Sequence, residues 1–187
     1  MSRLMATTSP VRVFTAVTAV VLLAGATGEG PPPMNLAVVG FAREHLGEAV
    51  GNGECTTLAI EALRFSGARR IPVDARRNGD YVWGRPIDSF RESSPGDVVQ
   101  FRDAVFRGKR YVSRGRWVSW RQSYPHHTAI VAEVRENGRV ILLLHQNVAA
   151  DGTSEAAKRV VTETTIRPES LQKGGKFWIY RPIPTER

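Results

Sequence analysis

Two apolar runs rich in β-branched residues, Thr128–Val134 (TAIVAEV) and Arg139–His145 (RVILLLH), constrain this chain more than any other feature. Glu136-Asn137-Gly138 lies between them, and two such runs around an Asn-Gly turn read as a β-hairpin. Asp97–Phe101 (DVVQF) adds a strand after the turn Ser94-Pro95-Gly96, and Val160–Ile166 and Lys176–Arg181 add two more, separated by Gly174-Gly175. Upstream the periodicity changes. Leu36, Val39, Phe41 and Leu46 recur at helical spacing from Asn35 to about Glu48, and Gly51-Asn52-Gly53 breaks the pattern. A second helix is expected from Cys55, burying Leu58, Ala59, Leu63 and Phe65 and stopped by Ser66-Gly67. Helices followed by antiparallel strands make an α+β domain.

The chain of 187 residues is long enough for one domain with a core and too short for two. Its first residues read as an export signal. Arg3 and Arg12 form a basic leader, Val13–Ala24 is almost wholly apolar, and Ala24-Gly25-Ala26 offers small residues for cleavage. The apolar run is short for a membrane span, which needs about 20 residues. The expected organisation is a signal peptide over 1–26, a Gly/Pro-rich linker over 27–34 and one domain over 35–187. The mature protein would be secreted or periplasmic, with no stable membrane insertion.

Export would make the cysteine count informative. The chain has one cysteine, Cys55, which cannot form an internal disulfide. It sits where a Gly-rich turn enters a helix. The first helical turn leaves backbone N–H groups unpaired and carries partial positive charge, so the location is expected to favour the thiolate and to offer donors to an oxyanion. A cysteine nucleophile also needs a base, and the base an orienting group. Of four histidines, His45 falls on the first helix, whereas His126, His127 and His145 gather at one end of the hairpin.

Hairpin register decides which of these residues meet, because side chains alternate between the faces of a sheet. A two-residue turn at Asn137-Gly138 pairs His127 with Val148 and sends His145 and Asn147 to the other face. A three-residue turn, with Gly138 left-handed, pairs Arg135 with Arg139. His127 then faces Asn147, with His145 diagonal to it. The expectation is the second register, with Cys55 as nucleophile, His127 as base, and His145 or Asn147 as orienter.

The order of motifs, "GNGECTTLAIEAL", "PGDVVQF", "HHTAIV" and "HQN", resembles the CHAP amidase/peptidase family and its NlpC-type relatives. The resemblance covers roughly Leu36 to Val148. It implies a papain-like fold and cleavage of peptide or amide bonds in peptidoglycan. It places Cys55 on the family nucleophile, His127 on the general base and Asn147 on the family's polar residue in "EQN". His145 falls where many members carry glutamate and NlpC-type members often carry histidine. The chain departs from the pattern at His126, where glycine is common, and in lacking an aromatic beside the cysteine. Its "YVWG" (Tyr81–Gly84) follows the cysteine, where NlpC-type enzymes place such a motif before it.

Between the DVVQF strand and His126, the segment Arg102–Pro125 carries Arg107, Lys109, Arg110, Arg114, Arg116 and Arg121 among Phe106, Tyr111, Trp117 and Trp120. With a formal charge of +8, it suits an anionic polymer, and its position makes it a candidate wall of the cleft; it reads equally as a long hairpin whose aromatics pack on the domain and whose arginines face water. The expected partner is peptidoglycan or another anionic wall polymer. No cofactor and no nucleic acid are expected. Three other readings use the same residues: an acyltransferase with the same triad, a non-catalytic exported binding module, and a metal site of Cys55, His126, His127 and His145. The metal site needs a bend, because adjacent strand residues point to opposite faces.

Overall fold

The computed structural model describes residues 31–69, 76–77, 80–148 and 158–185. The proposed signal, residues 1–26, lies outside them. The first helix, α1 (Pro33–Glu44), starts inside the segment expected to be linker. Proline suits this position, because the first helical N–H has no intrahelical partner to lose. The helix ends before Leu46, and its buried residues are Asn35, Val38, Val39 and Ala42. Leu36 and Leu46, which fit the helical spacing read from sequence, are 51% and 48% exposed. Helix α2 (Cys55–Phe65) starts at the expected residue and buries Leu58, Ala59, Ala62 and Leu63. Phe65 instead stays largely exposed and leans on Phe41, ring centres 5.3 Å apart.

Among the described residues eight strands follow: β1 (Arg76–Arg77), β2 (Asp80–Tyr81), β3 (Arg85–Ile87), β4 (Val98–Ser113), β5 (Arg116–Arg135), β6 (Val140–His145), β7 (Thr162–Ile166) and β8 (Lys176–Arg181). The first two form a small ribbon, and the others a six-stranded antiparallel sheet in the order β3-β8-β4-β5-β6-β7. The α+β architecture read from the order of elements is the one observed. One face of the sheet packs Val98, Ile130, Leu142 and Leu144 against α1 and α2; the other packs Val99, Phe101, Val131, Ile141 and Ile166 with Phe90 and Phe106. Both faces are therefore apolar, as a sheet covered on both sides requires.

The hairpin register differs from the expected one near the turn and regains it toward the site. Arg135 pairs with Val140 rather than Arg139, so the turn is one residue longer than a three-residue loop. Glu136, Asn137 and Gly138 all have positive φ. At Gly138 (φ +86°) an added Cβ would lie 2.6 Å from the Arg91 backbone nitrogen, so a side chain there is excluded. A β-bulge between Val131 and Glu133 then absorbs the extra residue. Beyond it Ile130 pairs with Leu144, the pairing that a three-residue turn would produce. The bulge leaves the Ala132 carbonyl outside the ladder, and Arg43 of α1 donates to it at 3.0 Å.

A buried polar node joins α1 to the far strands. Asp97 is fully buried, accepts from Arg181 Nε at 3.1 Å and Nη2 at 2.9 Å, and accepts from Asn35 Nδ2 at 2.7 Å and the Ser94 backbone N–H at 2.8 Å. Four donors around one carboxylate offset its desolvation. Gly96 allows the approach: a Cβ there would overlap the Asn35 carbonyl oxygen.

Candidate active site

The turn before Cys55 is held by four polar residues. The Asn52 side-chain oxygen accepts from the Glu54 backbone N–H at 3.1 Å, a donor that the helix start leaves open, and from the Thr57 hydroxyl at 2.6 Å. Gln146, fully buried at the end of β6, accepts from the Val50 N–H at 3.1 Å and donates to the carbonyls of Val50 at 3.0 Å and Glu54 at 2.8 Å. Asn147 Nδ2 donates to Glu54 Oε2 at 2.7 Å, and Arg159 Nη1 lies 3.3 Å from Glu54 Oε1. The end of β6 thus fixes the residue immediately ahead of the cysteine.

Cys55 opens on a cleft of about 180 Å³ lined by Glu54, Cys55, Thr56, Tyr81, Gln100, His126, His127 and Thr128. Its thiol is free, and backbone N–H groups of Thr128, Thr56 and Cys55 itself bear on the sulfur. Burial raises the thiol pKa; these N–H groups work against it, and Glu54 adds to it. The thiolate expected from the helix start is therefore not the resting form, because desolvation of the charged sulfur outweighs the backbone donors.

His127 and His145 meet directly. His127 Nε2 lies 3.0 Å from His145 Nδ1, and His145 Nε2 lies 3.0 Å from Thr164 Oγ1, which is 3.3 Å from the Tyr124 hydroxyl. Tyr124 also stacks on His127, ring centres 5.2 Å apart. Burial, then His126, lowers the pKa of His127 to about 3; burial, then His127, takes His145 well below its ordinary value. Both rings are neutral at pH 7. Asn147, the other candidate orienter, is turned to Glu54.

His126 also lines the cleft, and it has an acidic neighbour. Its Nε2 is 3.4 Å from Asp80 Oδ1, and its ring stacks on Tyr81 at 5.5 Å. Asp80 is buried and accepts from Arg102 Nε at 2.9 Å. Sequence reasoning placed His126 in the histidine cluster but gave it a role only in a metal set, and among the described residues no three His, Cys, Asp or Glu side chains converge as metal ligands. Gln146 was visible in the "HQN" motif, but nothing there signals a partner 96 positions away.

No solved structure matches the chain. The curated protein "Altered inheritance of mitochondria protein 3" of Debaryomyces hansenii is 28% identical over 162 residues, covering 79% of this chain and 16% of that protein. The chain thus spans about one sixth of the relative's length. This similarity overturns the reading as an exported wall hydrolase, together with its acyltransferase and wall-binding variants. Peptidoglycan is a bacterial polymer, whereas the relative is a yeast protein named for the inheritance of mitochondria. A secreted or periplasmic location and a peptidoglycan or anionic wall partner fall with it. Among the described residues no helix is long and apolar enough to cross a membrane. At the level of fold the resemblance to cysteine peptidases holds, since residues 35–187 match the model of the AIM3/BBC1 cysteine proteinase-fold domain. The chain belongs to the AIM3/BBC1 cysteine proteinase-fold domain family.

Proposed function

We propose that this domain is a cysteine-dependent hydrolase of peptide or amide bonds in a polypeptide, with Cys55 as nucleophile, His127 as base and His145 as its orienting partner. The observation that carries the reading is the 3.0 Å bond between His127 Nε2 and His145 Nδ1 beside the cleft that Cys55 opens on. That bond has two proton arrangements. When His127 Nε2–H donates to His145 and His145 Nε2–H donates to Thr164, His127 Nδ1 keeps its lone pair and can act as base. The reverse arrangement protonates Nδ1 and silences it. In the active arrangement the thiol proton passes to His127 Nδ1 as Sγ attacks the carbonyl carbon. The leaving amine then takes that proton, and water cleaves the thioester. In this reading the N–H groups of Cys55 and Thr56, which bear on the sulfur, donate to the oxyanion.

Hydrolysis of a fluorogenic peptide-amide library by the full chain, by Cys55→Ala and by His127→Ala tests this, alongside iodoacetamide labelling of Cys55. Activity lost in both variants, with slower labelling in His127→Ala, supports the reading. No hydrolysis by the native chain, with labelling indifferent to His127, removes it. A second reading, a module that keeps the fold without turnover, is favoured by the neutral resting pair of thiol and imidazole. It predicts that second outcome.

A further inference from the structure

The β4–β5 hairpin runs well past the sheet. Residues Arg107–Ser113 and Arg116–Arg121 pair only with each other among the described residues, because β8 stops opposite Arg102 and β6 opposite Ile130. On this arm Arg107 stands directly across from Arg121, and Gly108 across from Trp120. A Cβ on Gly108 would lie 2.6 Å from the Trp120 ring, so the indole is laid flat over bare backbone. Arg107, Gly108, Lys109, Ser119, Trp120, Arg121 and Gln172 border an open hollow of about 850 Å³. Among the described residues no carboxylate pairs with Arg107, Lys109 or Arg121. Tyr111 and Trp117, at the tip, are 57% and 61% exposed.

Like charges directly opposite each other weaken a strand pair, so Arg107 and Arg121 hold an arrangement that an anion between them would relieve. The indole, one position on and so on the opposite face of the ribbon, is half-buried against the Phe106 cluster and offers an apolar contact to a neighbouring residue of an extended segment. We propose that this hollow binds an acidic, extended polypeptide segment: a carboxylate sits between Arg107, Lys109 and Arg121, an adjoining apolar residue lies on Trp120, and the segment's backbone pairs with a free edge of the arm. The open edges decide between the two anionic polymers that cations and aromatics attract. A strand edge presents alternating N–H and C=O groups that another polypeptide backbone satisfies and a nucleic-acid strand does not.

The test uses the full chain and a fluorescein-labelled peptide of alternating Glu and Val, with an alternating Lys-Val peptide and single-stranded oligothymidine as comparators. Fluorescence anisotropy is expected to show saturable binding of the Glu-Val peptide that weakens as salt rises. Arg107→Gln with Arg121→Gln should weaken it by about tenfold, in keeping with the loss of charge-assisted hydrogen bonds. Trp120→Ala should weaken it independently, and an unchanged thermal melting curve shows that either variant is folded. Equal binding of the Lys-Val peptide, undiminished binding by both folded variants, or binding of oligothymidine that the Glu-Val peptide does not displace would overturn the proposal.

Discussion

A thiol held above its ordinary pKa reacts slowly with soft electrophiles at neutral pH, since only the thiolate is nucleophilic. For Cys55 the alkylation rate should climb about tenfold per pH unit through pH 8 without a plateau, because burial raises the pKa that sets the thiolate fraction. A plateau near pH 7 would show an ion pair at rest and contradict the neutral site. The two cleft histidines separate by substitution. His127→Ala should lower any turnover by at least about 100-fold, the lower end of general-base contributions, whereas His126→Ala should leave more than it removes. The reverse ranking, measured as kcat/KM, would transfer the role to His126 and Asp80. At this scale the sequence was legible where chemistry is local: a lone cysteine at a helix start, and histidines at a strand end. It was not legible where environment decides. The helix start argued for a thiolate, and only the packed surroundings show desolvation prevailing.

Elements lean on residues far away in sequence, and Gln146 shows how. It closes three hydrogen bonds to the backbone of Val50 and Glu54; both carbonyls also accept from the Gly53 and Thr57 N–H groups, so Gln146→Ala leaves the Val50 N–H without its partner. Unfolding in urea should show a loss of about 1–3 kcal/mol, the cost of one buried unsatisfied group. Alkylation of Cys55 should also change, because the turn that presents it is loosened; a variant of native stability and native alkylation would make Gln146 dispensable. Helix α2 and the β5–β6 hairpin were readable because apolar spacing and the Gly-rich turns agreed. Helix α1 was readable as a helix, but its apolar period does not pick out the packed face: Leu36 and Leu46 fit it and stay exposed, while Val38, Val39 and Ala42 pack. For the arm a long hairpin was one of two readings, and strand alternation could not decide between them because its residues beyond Phe106 face mostly water on both sides. Strands β1 to β3, two or three residues each, are too short to carry a period.

The whole molecule should be sensitive to acid through the buried histidine pair. Unfolded, each ring titrates near 6.5; folded, His127 titrates at about 3 and His145 well below its ordinary value. A depressed folded pKa means that the unfolded chain binds more protons in between, so stability is full above about pH 6.5 and falls as pH drops toward 3. Urea midpoints measured from pH 7 to pH 4 should fall steadily, and His145→Asn should flatten the slope. A midpoint constant over that range would show the pair to be charged or exposed.

The bulge in β5 has a consequence for how such a domain tolerates change in length. It works as a phase corrector, taking up one residue between the loop and the active end of the hairpin while Arg43 holds the displaced carbonyl. Everything on the loop side can drift by a residue, and the loss or gain of this single kink restores the count. The pairing of Ile130 with Leu144 is insulated from the loop that follows it, so the loop is free to vary where the histidines are not.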